Sequence, residues 1–274
     1  MENKDFVIEN GVLIRYNGNK KNVVIPSGVI AIGDDAFLSP KNFRKKLVLV
    51  TYTCDDPELK EYLKRTNVET SYEGYEEKLV ECNSSEITSV KIPNSVTTIG
   101  KNAFYNCENL TNIEIPNSVT TIGNYAFHGC LSLTNIEIPD SVTTIGKHAF
   151  RGCSSLTKIK ISNSVTAIDE GAFYGCSSLT KITIPNSVAA IGKYAFNNCK
   201  NLTKITIPNS VAAIGKEAFY NCEKLTNIKI PDSVNAIGEF AFSYCKNLDT
   251  IKIPKGYIYE YGWNRNCPAK IIYY

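Results

Sequence analysis

The chain of 274 residues is 43% hydrophobic and carries 30 basic against 27 acidic side chains, a formal charge of +3. That apolar content excludes global disorder, and the small charge excludes the strongly basic surface that nucleic-acid binding requires. Nothing approaches the ~18 consecutive apolar residues of a membrane-spanning helix.

The N-terminus, MENKDFVIENGVLIRYNG, mixes polar and charged residues and lacks the apolar core of a secretion signal. This predicts a cytoplasmic protein, or an exported one whose leader is gone. Asn10–Gly11 between two apolar runs is a hairpin signal, and residues 1–24 are expected to cap whatever follows. IPSGVIAIGDDAF at 25–37 opens a first repeat. Ile25 and Ile92 occupy equivalent places 67 residues apart, where three units would need 69. Residues 25–91 are therefore expected to hold that first repeat and degenerate coils carrying an insertion. Within it, DDPELKEYLKR at 55–65 has capping aspartates, Pro57 at a first helical position and Glu58 in the first turn. That pattern predicts a short helix near 56–65. The polar stretch after it, rich in glutamate, predicts a loop.

From 92 to 254 one sentence is written seven times. Cysteine falls at every 23rd position from Cys107 to Cys245, phenylalanine from Phe104 to Phe242, and the isoleucine of IGxxAF from Ile99 to Ile237. A period in the low twenties means one short supersecondary unit stacked many times. In LTNIEI, Ile113 and Ile115 alternate with Asn112 and Glu114, the pattern of a half-buried strand. Pro116 ends the pairing, NSV makes a turn through bonds to nearby backbone, and VTTI returns as a second short strand. The glycine of IG permits a corner, and xxAFxxC is expected to form one or two turns of tight helix. One unit cannot close a core, but stacked units give each apolar position a copy ~4.8 Å above and below. Residues 255–274, rich in Tyr and containing Trp263, are expected to cap the far end rather than to form a binding platform.

The consensus LTxIxIPxSVxxIGxxAFxxC, held across residues 92–252, resembles the BspA-like, or treponemal-type, leucine-rich repeat family. That resemblance implies a leucine-rich repeat solenoid: right-handed, stacked 23-residue coils with a parallel sheet on one face and capped ends. It also implies a role at a bacterial cell surface, binding host proteins or matrix.

Chemistry is sparse. His128 follows one AF pair and His148 sits two residues before Phe150; both read as solvent-facing surface residues rather than a catalytic pair. A cysteine ladder points its copies the same way, whereas zinc needs ligands that converge. Parallel side chains are also poorly placed for a disulfide torsion. Buried free thiols packing as small hydrophobes are the expectation, which favours a reducing compartment. No GxSxG or phosphate-binding loop is present. Glu114 and Glu137 have nothing nearby to exclude water and tune them for acid–base work. The three NxS/T triplets at 83–85, 109–111 and 201–203 matter only in a secretory pathway. No enzyme, cofactor or metal is expected.

The variable outer positions of the first strand are the candidate site. Two acidic units, Asn112/Glu114 and Asn135/Glu137, are followed by a basic run, Lys158/Lys160, Lys181, Lys204, Lys229 and Lys252. A column of like charges brings a fold nothing, and it attracts and steers acidic partners. The sequence therefore leaves two readings of the column open, a solubilising lysine face that guards against aggregation or the surface of a protein-binding module with an acidic protein partner. The adhesion role implied by the resemblance stands beside a cytosolic scaffold or regulator.

Overall fold

A computed structural model describes residues 5–38, 86–255 and 262–274. The chain opens with β1 (Phe6–Glu9), β2 (Val12–Tyr16), β3 (Asn22–Val24) and β4 (Ala31–Ile32). Each later coil then contributes a three-residue strand followed by a two-residue one. These are β5 (Ser89–Lys91) and β6 (Thr98–Ile99), β7 (Asn112–Glu114) and β8 (Thr121–Ile122), β9 (Asn135–Glu137) and β10 (Thr144–Ile145). They continue as β11 (Lys158–Lys160) and β12 (Ala167–Ile168), β13 (Lys181–Thr183) and β14 (Ala190–Ile191), β15 (Lys204–Thr206) and β16 (Ala213–Ile214). The last are β17 (Asn227–Lys229) and β18 (Ala236–Ile237), then β19 (Thr250–Ile253) and β20 (Lys270–Tyr273). The longer strands pair in parallel, coil on coil, as a main sheet, and the two-residue strands form a minor one. The fold is a parallel-sheet leucine-rich repeat solenoid. Coils are named below by their phenylalanine.

Alternation along the strands places the core. In each three-residue strand the central Ile or Val is buried, and the flanking residues face out. The phenylalanines stack from Phe37 through Phe242, with centroids 4.8 to 5.6 Å apart. Each such pair adds about 0.5–1.5 kcal/mol beyond its buried area. At the far end Trp263, 3% exposed, meets Phe242 edge-on at 5.9 Å. At the near end β1 and β2 form an antiparallel hairpin through Asn10 and Gly11, both at positive φ.

The structure corrects three local expectations. The AF segment is not a tight helix: its N–H groups alternate between two kinds of partner. Tyr105 and Cys107 donate three residues back, to Asn102 O and Phe104 O, while Asn102, Phe104 and Asn106 donate to the next coil. Left-handed Asn102 and Asn106 turn the chain between these bonds and break any helical run. The serine of NSV does not bond locally either. Ser118, Ser141, Ser187, Ser210 and Ser233 each donate to a valine carbonyl of the preceding coil at 2.6–2.8 Å. Finally, β3 pairs directly with β5 and β4 with β6. The Phe37 coil therefore stacks straight onto the Phe104 coil, with no coil between them among the described residues. The helix expected near 56–65 and the loop after it lie outside the described residues.

The cysteine ladder does more than fill space. Cys130, Cys153, Cys176, Cys199, Cys222 and Cys245 each donate Sγ–H to the phenylalanine carbonyl of the preceding coil, at 3.1–3.3 Å. All are buried and free of disulfides. Burial pushes the Cys153 thiol up to about 12 and the Cys176 thiol far above its usual value, so these groups stay protonated as donors.

Candidate functional site

The main sheet presents its outer residues in register. Lys158, Lys181 and Lys204 are direct neighbours on β11, β13 and β15. All three side chains are exposed, and among the described residues none has an ion-pair partner. In the adjacent column the lysines differ. Lys160 Nζ lies 2.5 Å from Glu137 Oε1, and that bond raises its ammonium above the ordinary lysine value. Lys229 stands 4.4 Å over the Tyr274 ring and pairs in register with Lys252. Asn135 and Glu137 lie beside Lys158 and Lys160, and Asn112 and Glu114 lie beside Ser89 and Lys91. The face thus has an acidic end and a basic end, with the Glu137–Lys160 pair at the boundary.

The ladders are not continuous. The main sheet is interrupted between β7 and β9 and again between β15 and β17, and the minor sheet between β10 and β12. A groove lies over each main-sheet interruption. One is lined by Glu114, Glu137, Asp140 and Lys160, the other by Lys204, Lys229, Lys252 and Ile272 above buried Ile205 and Ile228.

The minor-sheet interruption coincides with a change at the corner residue. Glycines at the IG corner sit against the backbone of the preceding coil: a Cβ on Gly146 would meet Asn124 N at 2.6 Å, and one on Gly192 would meet Asp169 C at 2.7 Å. Asp169 fills that place in the Phe173 coil with a real Cβ, and at this junction β12 is not laddered to β10. The same coil carries Ser162 where its neighbours have proline, and Ser164 bonds Asp140 O instead of a valine carbonyl. Its Gly171 takes the left-handed position (φ 58) filled by Tyr125, His148, Tyr194, Glu217 and Phe240 in other coils. These departures are legible in the sequence as ISNSVTAIDEGAF against IPDSVTTIGKHAF.

The histidines also need correction, since neither is a plain solvent-facing side chain. His128 stacks on Tyr105 at 4.6 Å and His148 on Tyr125 at 4.9 Å. The Nδ1 of each is buried without a hydrogen-bond partner among the described residues. The His148 ring fills the room that Gly171 leaves open; a Cβ there would lie 2.1 Å from Nδ1. Burial, then the nearby Arg151, lowers both imidazoles, His128 to about 4. Among the described residues no group of three or more His, Cys, Asp or Glu could hold a metal ion, and no helix is long and apolar enough to cross a membrane.

A family model described as BspA type leucine rich repeat region matches residues 81–199 and 166–265. The crystal structure of a leucine-rich repeat protein from Bacteroides ovatus is similar at 27% identity, over 98% of this chain and 68% of its own, with a TM-score of 0.63. The T. pallidum leucine rich repeat protein shares the fold at 24% identity, over 96% and 98% of the two chains, with a TM-score of 0.54. A search among curated proteins found no match.

Proposed function

The chain belongs to the BspA-type leucine-rich repeat family, and from that premise we propose that it is a non-enzymatic protein-binding module that receives an acidic partner on the exposed face of its main sheet. The observation that carries this reading is the in-register, unneutralised column Lys158, Lys181, Lys204. Like charges directly opposite one another on a sheet weaken it slightly, so the column contributes nothing to folding. It does create a local positive potential that speeds and orients the approach of an acidic surface. Lys229 and Lys252 extend the basic end over the second groove, while Glu114 at the other end disfavours an acidic partner placed in reverse.

In its specific form the reading is adhesion at a cell surface, following from the family; a cytosolic scaffold would use the same face. The buried thiols do not separate the two. They are interior hydrogen-bond donors and speak of packing rather than of compartment. Labelling intact cells with an impermeant reagent discriminates: a labelled protein supports adhesion, an unlabelled one the scaffold.

The binding face is tested by reversing Lys158, Lys181 and Lys204 to glutamate together. Loss of capture of an acidic partner, with unfolding free energy changed by less than about 1 kcal/mol, is the expected outcome. Capture that survives the triple reversal removes the reading.

A further inference from the structure

The Phe150 coil, residues 135–153, is held less completely than its neighbours. On one side its main strand β9 is not laddered to β7, and on the other its minor strand β10 is not laddered to β12. Each junction keeps only one of its two ladders: β8–β10 on the first side and β9–β11 on the second. Turn-side bonds add three to each junction: Tyr125, Phe127 and Gly129 N–H to Lys147, Ala149 and Arg151 O on the first side, and His148, Phe150 and Gly152 N–H to Glu170, Ala172 and Tyr174 O on the second.

The two histidines of the described chain stand at these same two junctions. His128, on the preceding coil, stacks on Tyr105, and Arg151 of the Phe150 coil, its guanidinium 4.5 Å over the Tyr174 ring, opposes charge on it. His148, on the Phe150 coil itself, lies against Tyr125 on one side and Gly171 on the other. Arg151 and Lys147 oppose charge on His148, while Glu170 and Asp169 favour it; His128 feels Arg151 and His148 and no carboxylate. Each imidazole holds a buried Nδ1 that has no acceptor to offer a proton. A proton added there creates an unpaired buried donor as well as a charge.

We propose that the Phe150 coil is an acid-operated hinge: protonation of His128 and His148 loosens it from the coils on either side, each junction pivoting on the one ladder it retains. The sign follows from linkage. In the closed state burial lowers both imidazoles, His128 to about 4, whereas a released imidazole takes its proton near 6.5. Between those values the open state binds more protons, so acid favours opening. Opening separates Glu114 on β7 from Glu137 on β9 and widens the groove between them, which changes the spacing between the acidic and basic ends of the main face.

Hydrogen exchange of the full chain tests this, with rates divided by the intrinsic exchange rate at each pH. Between pH 7 and pH 4.5 the amides of residues 135–153 are expected to lose protection by about tenfold, while those of residues 181–222 keep theirs. The variant His128→Asn/His148→Asn removes both titrations; Asn197 and Asn102 already occupy the equivalent places in other coils. It should show no acid-dependent loss at 135–153 and unchanged protection at pH 7. Should that variant fold poorly, Arg151→Gln keeps both imidazoles and removes the opposing guanidinium, and should make the loss shallower. Loss spread evenly over all coils, no loss in the wild type, or a wild-type response in the histidine-free or Arg151→Gln variant overturns the hinge.

Discussion

Two neighbouring junctions differ at their corner residue and in the number of ladders they close. Between the Phe173 and Phe196 coils both ladders close, β11 on β13 and β12 on β14. Between the Phe150 and Phe173 coils only the main ladder closes. The corner residue is Gly192 at the first junction and Asp169 at the second. The ring stack barely registers the change: the Phe150–Phe173 centroids are 5.6 Å apart and the Phe173–Phe196 centroids 5.5 Å. The interior therefore fixes that coils stack, while the number of ladders they exchange is set outside the ring column, where Cβ clearance at the corner is the first candidate. A solenoid can lose a ladder at one level without losing its core, because each coil depends only on its neighbours.

Breaking the part that both junctions share should have the largest effect. Phe173, fully buried, packs against a ring on each side. Phe173→Ala is expected to cost about 3–5 kcal/mol, read as a fall in the denaturant midpoint, and Phe196→Ala should cost about the same. A much smaller cost at Phe173 would mean that the Asp169 junction had already given up core packing, against the equal ring spacings. Next in size is the transplant of the defect. Gly192→Asp places a Cβ against Asp169 C and Glu170 N, both within 2.8 Å, and should cost about 1–3 kcal/mol as overpacking. Exchange at Ala190 and Ile191 should then rise to the level of Ala167 and Ile168; if those amides stay protected, Cβ clearance is not what keeps the ladder shut.

This contrast also marks what the sequence made legible. Period, strand positions, buried isoleucines and the outer lysine register follow from alternation and spacing, because side-chain direction in a strand is set by parity and copies in a stack share a place. Bonds between coils were opaque. Ser118 looked like a local turn residue because its bonding options within three residues are good, yet its acceptor lies 22 positions back. The AF segment looked helical because nothing local shows that every second N–H is taken by the next coil. The cysteines look apolar by composition, and only the stack reveals the phenylalanine carbonyl each one meets. For the candidate face, register was readable but neutralisation was not. Lys160 and Lys181 look alike in sequence, and the Glu137 carboxylate that occupies one of them comes from the coil below.

The smallest change runs the comparison backwards. Asp169→Gly restores the corner glycine at the β10–β12 interruption and should let the minor sheets join. Each regained backbone bond contributes about 0.5–1.5 kcal/mol. Against this, the Asp169 Oδ1 acceptor for Glu170 N–H at 2.7 Å is lost, and glycine costs about 0.5–1 kcal/mol in chain entropy. The balance should be a gain near 1 kcal/mol, or a rise of about 2–4 °C in Tm for a domain of this size, together with slower exchange at Thr144–Ile145 and Ala167–Ile168. The two readouts separate the causes. A higher Tm without slower exchange would place the gain in relief of Asp169 itself; slower exchange with an unchanged Tm would mean that the regained bonds only balance the entropy and the lost cap. If neither moves, the ladder is held open by the rest of the Phe173 coil, with Ser162 and the redirected Ser164 the next residues to revert.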